Sequence, residues 1–153
     1  MPAAKTDRIE KKVLLRAPRS RVWRAIADAD EFGQWFRVKL DGKFVAGAAI
    51  RGQMTYPGYE HVKFEALIER IEPETYFSYR WHPYAVDMAV DYSAEPTTLV
   101  EFRLSDVKGG TELTITESGF DKVPAKRRAE AFRMDDQGWS TQSQNIAAYV
   151  AKT

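Results

Sequence analysis

Leu113 and Ile115 alternate with polar residues on the way to Glu117. Continuing that period of two puts the Glu117 carboxyl on the side of a strand that faces a core. A carboxylate there is costly unless it is paired or hydrogen-bonded, so two readings stay open. Glu117 serves a ligand, as an acceptor or as an acid of raised pKa inside a cavity; or it ends the strand, pairs with an arginine or caps the turn at Ser118-Gly119. Asp136, three residues before Trp139, is a second carboxyl that helical spacing could turn toward the same place, the alternative being a solvated helix carboxylate. His82, directly after Trp81, is a third proton carrier or an ordinary surface histidine. Spacing names no serine or acid partner for it. Glu117, Asp136 and His82 are therefore weak catalytic candidates, and no catalytic set is assigned.

Other chemistries find little support. The chain has no cysteine, which removes disulfides, thiolate metal sites and cysteine nucleophiles. Its histidines, His61 and His82, lack the spacing of zinc ligands, so no metal site is expected. Gly42, Gly47, Gly52 and Gly58 read as turn or strand glycines and form neither GxGxxG nor a P-loop, so no nucleotide cofactor, and no cofactor of any kind, is expected. With 23 basic and 22 acidic residues, for a net charge of +1, nothing steers the chain to nucleic acid. No run of about 18 apolar residues suits a membrane. The opening MPAAKTDRIEKKV has no apolar core of a signal peptide, and a cytoplasmic location is expected. Lys126-Arg127-Arg128 with Arg133 forms a basic cluster at the start of the last helix, opposing the helix dipole. It is either a docking patch for an acidic partner or a solvated helix face.

The aromatic content is high: four Trp, seven Tyr and eight Phe in 153 residues. Phe77, Tyr79 and Trp81 alternate along one strand and share a face with Phe64 and Phe102 if the strands pair in register. With Trp35, Phe36, Trp139, Ser143 and Glu117 they would line an apolar cavity carrying a few polar groups. Each taken alone could equally pack against the last helix.

The elements that must position these groups follow from pattern. Ile9 to Arg16 reads as a strand with Ile9, Lys11, Val13 and Leu15 on one side. Pro18 to Ala29 reads as a helix with Pro18 in its first turn, and Phe32-Gly33-Gln34-Trp35-Phe36 as a second short helix or a turn. Strand-like runs follow at Val38 to Leu40, Ala48 to Tyr56, Val62 to Ile71, Tyr76 to Trp81 and Thr98 to Leu104, separated by turn signals at Asp41-Gly42, Pro57-Gly58 and Glu72-Pro73-Glu74. Such short connections imply an antiparallel meander. Val100, Phe102 and Leu104 pair across Gly109-Gly110 with Leu113 and Ile115 as a hairpin. The stretch from His82 to Pro96 is long for a connection. Pro124 to Val150 reads as a closing helix with Phe132, Trp139, Ile146 and Val150 on one stripe and Gly138 as a weak point. No repeat or linker divides the sequence, so one domain over residues 1–153, with a structured core at 8–150, is expected.

Several phrases carry a family resemblance. Ala17-Pro18 with Val22-Trp23-Arg24-Ala25-Ile26, Phe32-Gly33-Gln34-Trp35-Phe36, Ile71-Glu72-Pro73 and Phe77-Ser78-Tyr79-Arg80-Trp81 occur in order. The hairpin ending Thr111-Glu112-Leu113-Thr114-Ile115-Thr116-Glu117-Ser118-Gly119-Phe120 follows, then Gly138-Trp139 and Asn145-Ile146. Together, over about residues 9 to 150, they resemble the C-terminal domain of the activators of heat-shock-protein-90 ATPase, within the START-like, birch-pollen-allergen-like (SRPBCC) superfamily. The resemblance implies an α+β helix-grip fold: a curved seven-stranded antiparallel sheet around a long C-terminal helix, two short helices closing one end, and a cavity between sheet and helix. Ser143 departs from the family, which often has leucine there. The superfamily spans carriers, receptors, cyclases and co-chaperones, so fold does not decide function. The expectation is a small apolar or aromatic ligand, lipid- or polyketide-like, under a lid of Phe32 to Phe36 and His82 to Tyr92. A cyclase or dehydratase using a cavity carboxylate is the first alternative. A co-chaperone is the last, because the resemblance covers only one domain of the activator. Ligand identity and oligomeric state are not legible.

Overall fold

The computed structural model describes residues 7–87 and 89–152; expectations falling on residues 1–6, on Met88 and on Thr153 lie outside them. The described elements are β1 (Arg8–Leu15), α1 (Arg19–Ala27), α2 (Ala29–Phe36), β2 (Val38–Asp41), β3 (Ala49–Met54), β4 (Lys63–Glu72), β5 (Tyr76–Trp81), β6 (Thr98–Val107), β7 (Gly110–Ser118) and α3 (Ala125–Ala151). Among the described residues, seven strands make one sheet in the order β1-β7-β6-β5-β4-β3-β2, every neighbouring pair antiparallel. With α3 packed beside β1 and α2, this is the helix-grip α+β arrangement that the resemblance implies.

Alternation places the core. Phe64, Ala66 and Ile68 of β4, Val100, Phe102 and Leu104 of β6, and Leu113, Ile115 and Glu117 of β7 are buried, while the residues between them are more exposed except for Thr116, which is buried too. The register sets Tyr79 opposite Val100, Val100 opposite Glu117, and Glu117 opposite Ile9. Four strands thus bring one row of side chains to the concave face, with the carboxyl among them. The predicted hairpin forms, turning at Lys108-Gly109 with Gly110 already in the strand.

The helices differ from expectation in one place. A single helix from Pro18 to Ala29 does not form; α1 ends at Ala27, and Asp28, in extended backbone, caps α2 by accepting from the Glu31 N–H at 3.0 Å. Pro18 stands at the N-cap itself. Glu31 then binds Arg21 at 2.8 Å, Arg24 at 2.9 Å and the Tyr149 hydroxyl at 2.9 Å, joining all three helices. Phe32, Trp35 and Phe36 are buried, so α2 is part of the core and not a lid. α3 continues through Gly138 unbroken. Two of the four basic residues expected as a cluster at its start are used internally, while Lys126 and Arg133 are exposed. Arg127 pairs with Glu95 at 2.8 Å, donates to the Pro83 carbonyl at 2.8 Å and stacks over Tyr92, while Arg128 donates to Val123 O. The long 82–96 stretch is thereby fastened to α3.

Gly33 is where this end of the molecule tolerates least change. Arg37 takes a left-handed conformation (φ 69°) that folds Val38 back on α2, and a Cβ on Gly33 would stand 2.2 Å from the Val38 carbonyl oxygen. Gly33→Ala is expected to lower unfolding free energy by about 1–3 kcal/mol, read as a lower urea midpoint with unchanged slope. An unaltered midpoint would mean that the α2–β2 turn yields freely.

Candidate functional site

A cleft of about 700 Å³ opens between the Met54–Tyr59 and His61–Glu65 stretches, the 81–93 segment, the end of α2 and the middle of α3. Its walls are aromatic and aliphatic: Phe36, Phe64, Trp81 and Trp139 on the inner side, with Tyr56, Tyr59, Tyr84 and Tyr92 nearer the rim. The inner rings interlock, Trp81 with Trp139 at 5.9 Å, Phe36 with Trp139 at 6.0 Å and Phe64 with Trp81 at 5.7 Å between centroids. Titratable groups at the border are Lys63, Glu65, Asp87, Asp91, Asp135 and the two histidines. Among the described residues no three His, Asp or Glu side chains gather into a metal-binding group.

Behind the tryptophans lies Glu117, wholly buried. Among the described residues three donors reach it. The Trp139 indole N–H donates to Oε1 at 2.8 Å, the Trp81 indole N–H to Oε2 at 2.8 Å, and the Thr98 hydroxyl to Oε2 at 2.5 Å. A carboxylate offers roughly four lone-pair sites, and the Asp135 carboxyl of α3 lies beside it, near enough to share a proton. Two carboxylates cannot hydrogen-bond without a shared proton. No N–H or O–H of the described residues reaches Asp135 Oδ2, which is sealed from solvent. Of the two, Asp135 is the carboxyl whose pKa is raised, and the shared proton is assigned to it. Burial first, then the negative charge of Glu117, hold the Asp135 carboxyl well above the usual carboxylate range, with Arg127 opposing more weakly. The Tyr79 phenol is raised by the same causes, burial foremost, and its buried hydroxyl has no hydrogen-bond partner among the described residues.

The structure distributes the expected site residues unevenly. Phe36, Phe64, Trp81, Trp139 and His82 border the cleft. Tyr79 and Phe102 lie in the core, Phe102 packed on Trp139 at 5.8 Å. Trp35 turns away and donates its indole N–H to Ala25 O at 2.8 Å, which locks α2 to α1. Ser143 is buried but spends its hydroxyl on the Trp139 carbonyl at 2.8 Å within α3. Glu117 is one layer behind the wall, since the indoles that bind it cover it. Asp136 faces β1 and pairs with Lys11 at 2.8 Å, away from the cleft. His82 Nε2 is 2.9 Å from the Glu95 carbonyl oxygen. Asp135, the acid that does border the cleft, went unnamed, although it lies three residues after Phe132 and four before Trp139, on the apolar stripe itself.

The proton on Asp135 has a consequence for stability. Above the ordinary carboxylate range of about 4 the unfolded chain has released this proton while the folded chain retains it. The unfolded state then binds fewer protons, so this group's contribution falls as pH rises through its folded pKa. Asp135→Asn is expected to flatten that decline, measured as the pH dependence of the urea midpoint from about pH 4 upward. An identical slope in the variant would place the proton elsewhere.

Comparison with known proteins agrees with the architecture. The fold is similar to that of protein MLL2253 from Mesorhizobium loti, over 95% of this chain and 98% of that one, at 23% identity and a TM-score of 0.74. It is similar also to DynU16, a protein in the dynemicin biosynthetic locus, over 95% of this chain and 47% of that one, at 23% identity and a TM-score of 0.73. A third likeness is to the Aha1 dimer from Colwellia psychrerythraea, over 92% of each chain, at 14% identity and a TM-score of 0.68. No curated protein matches the sequence. The family model of the Activator of Hsp90 ATPase homolog 1-like proteins matches residues 16–151, nearly the whole chain, and the chain belongs to that family.

Proposed function

We propose that this chain binds a small, mainly apolar molecule of aromatic or polyketide-like character in the cleft between the ends of β3, β4 and β5, the 81–93 segment and α3. The observation that carries this reading is the cleft itself. Its volume of about 700 Å³ lies within the roughly 300–1,000 Å³ of small-molecule sites, and its apolar walls with few polar groups have the usual composition of such sites. Gly138 supports it. A glycine inside a helix is less favourable than alanine by about 1 kcal/mol, yet this one borders the cleft, and a Cβ on it would meet nothing within 4 Å. Open space above the helix is thus held at some cost in helix stability.

A cyclase or dehydratase reading shares the same cleft and is favoured by one feature, the Asp135 carboxyl at its border, whose pKa burial raises and which is the kind of group that general acid chemistry needs. A biosynthetic locus, such as the one that holds DynU16, is a fitting setting for such an activity. A co-chaperone role rests on the family's name and not on the geometry of the cleft. Among the described residues no helix is long and apolar enough to cross a membrane; a cytoplasmic, single-domain protein completes the proposal.

Thermal-shift and native mass-spectrometric screening with flavonoids, polyketide-like aromatics and fatty-acid esters tests it. Gly138→Leu is expected to keep or raise the melting temperature of the free protein, since the added side chain enters open space and leucine favours the helix, while abolishing ligand-induced stabilisation. Full binding by Gly138→Leu would move the site elsewhere. Failure of every compound to bind the unsubstituted chain would leave the aromatic residues as core and favour a surface partner.

A further inference from the structure

We propose that the cleft selects uncharged ligands bearing a hydrogen-bond-accepting oxygen, a ketone, quinone or ester, which docks against Asp135, and that it rejects carboxylates and phosphates. This inference rests on the cleft being a ligand site. Of the two acids, only Asp135 borders the cleft; Glu117 is covered by Trp81, Trp139 and Thr98. Those three donors satisfy most of the Glu117 lone pairs. Glu117 can therefore release the fourth contact, and a rotation of the Asp135 side chain brings its hydroxyl, buried in this structure, out to a ligand oxygen in the cleft.

The same arrangement disfavours anions. The negative charge of Glu117 sits directly behind Asp135 and is met by two indoles and a hydroxyl, all neutral. At the border, Glu65, Asp87 and Asp91 outnumber the single lysine, Lys63, with His61 and His82 beside them. Arg127, whose charge acts on Asp135, is engaged by Glu95, Pro83 and Tyr92. A ligand carboxylate reaching Asp135 would be desolvated against like charge. Gly138, one turn beyond Asp135, leaves the approach over the helix open.

Four compounds with one ring system test the assignment on the full chain by tryptophan quenching and calorimetry: acetonaphthone, ethylnaphthalene, naphthoate and naphthylmethylamine. Acetonaphthone is expected to bind about five- to tenfold more tightly than ethylnaphthalene, the worth of one net hydrogen bond. Naphthoate should bind more weakly than both. Asp135→Ala should reduce acetonaphthone to the level of ethylnaphthalene without moving ethylnaphthalene, and Asp135→Asn, whose amide still donates, should restore it. Equal binding of ketone and hydrocarbon, or a preference for naphthoate or the amine, overturns the proposal while the binding of ethylnaphthalene still supports a ligand cleft. Failure of all four to bind removes the cleft reading and this inference with it. Should Asp135→Ala not fold, the order of the four compounds on the unsubstituted chain decides.

Discussion

A carboxylate removed from water must be met by donors or keep its proton, and in this protein one pair of acids does each. Glu117 receives two indoles and a threonine hydroxyl, brought by β5, β6 and α3 to a residue of β7. Neutral donors satisfy it without an arginine, so its charge remains uncompensated by any ion pair among those partners. Asp135 stands next to that charge and answers it by holding a proton. The sheet and the long helix are thus joined by a polar contact, directional where the surrounding apolar packing is not. A helix sliding along the sheet by one residue would withdraw the Trp139 and Asp135 contacts together.

That contact also shapes the cleft. With their N–H edges turned to Glu117, Trp81 and Trp139 are fixed in orientation, and both rings contribute to the inner wall. Phe36 and Phe64 close around them. Phe36 can do so because α2 is itself anchored, by the Trp35 indole on Ala25 O and by Glu31 among Arg21, Arg24 and Tyr149. On the opposite side the 82–96 stretch has little secondary structure, yet Arg127 fastens it at Glu95, Pro83 and Tyr92. Both walls are therefore positioned by buried or half-buried polar contacts, and the space between them does not depend on filling by side chains.

Much that rests on period and on local chemistry is legible in the order of the residues. Alternation identified the β6–β7 hairpin and the inward side of Glu117, turn residues marked the strand ends, and the order of recognisable phrases carried the fold. The stripe through Phe132, Trp139, Ile146 and Val150 located the buried face of α3. Applied one step further, the same spacing held the signal for Asp135 in preference to Asp136; a helical advance of 100° per residue separates those neighbours, and four residues to Trp139 keep one on the stripe.

Tertiary structure alone decided which inward residues border open space and which are merely core. Period places Tyr79, Phe102, Trp81 and Phe64 on one face alike; only the approach of α2, α3 and the fastened segment leaves the last two beside the cleft and covers the first two. It also decided the direction of Asp136, drawn to Lys11 across the gap to β1, and the burial of Trp35 against α1. The physical reason is common to all of these. A period reports which way a side chain points from its own element, whereas a cavity is the volume left between elements, and that volume depends on contacts far apart in the chain that no local pattern encodes.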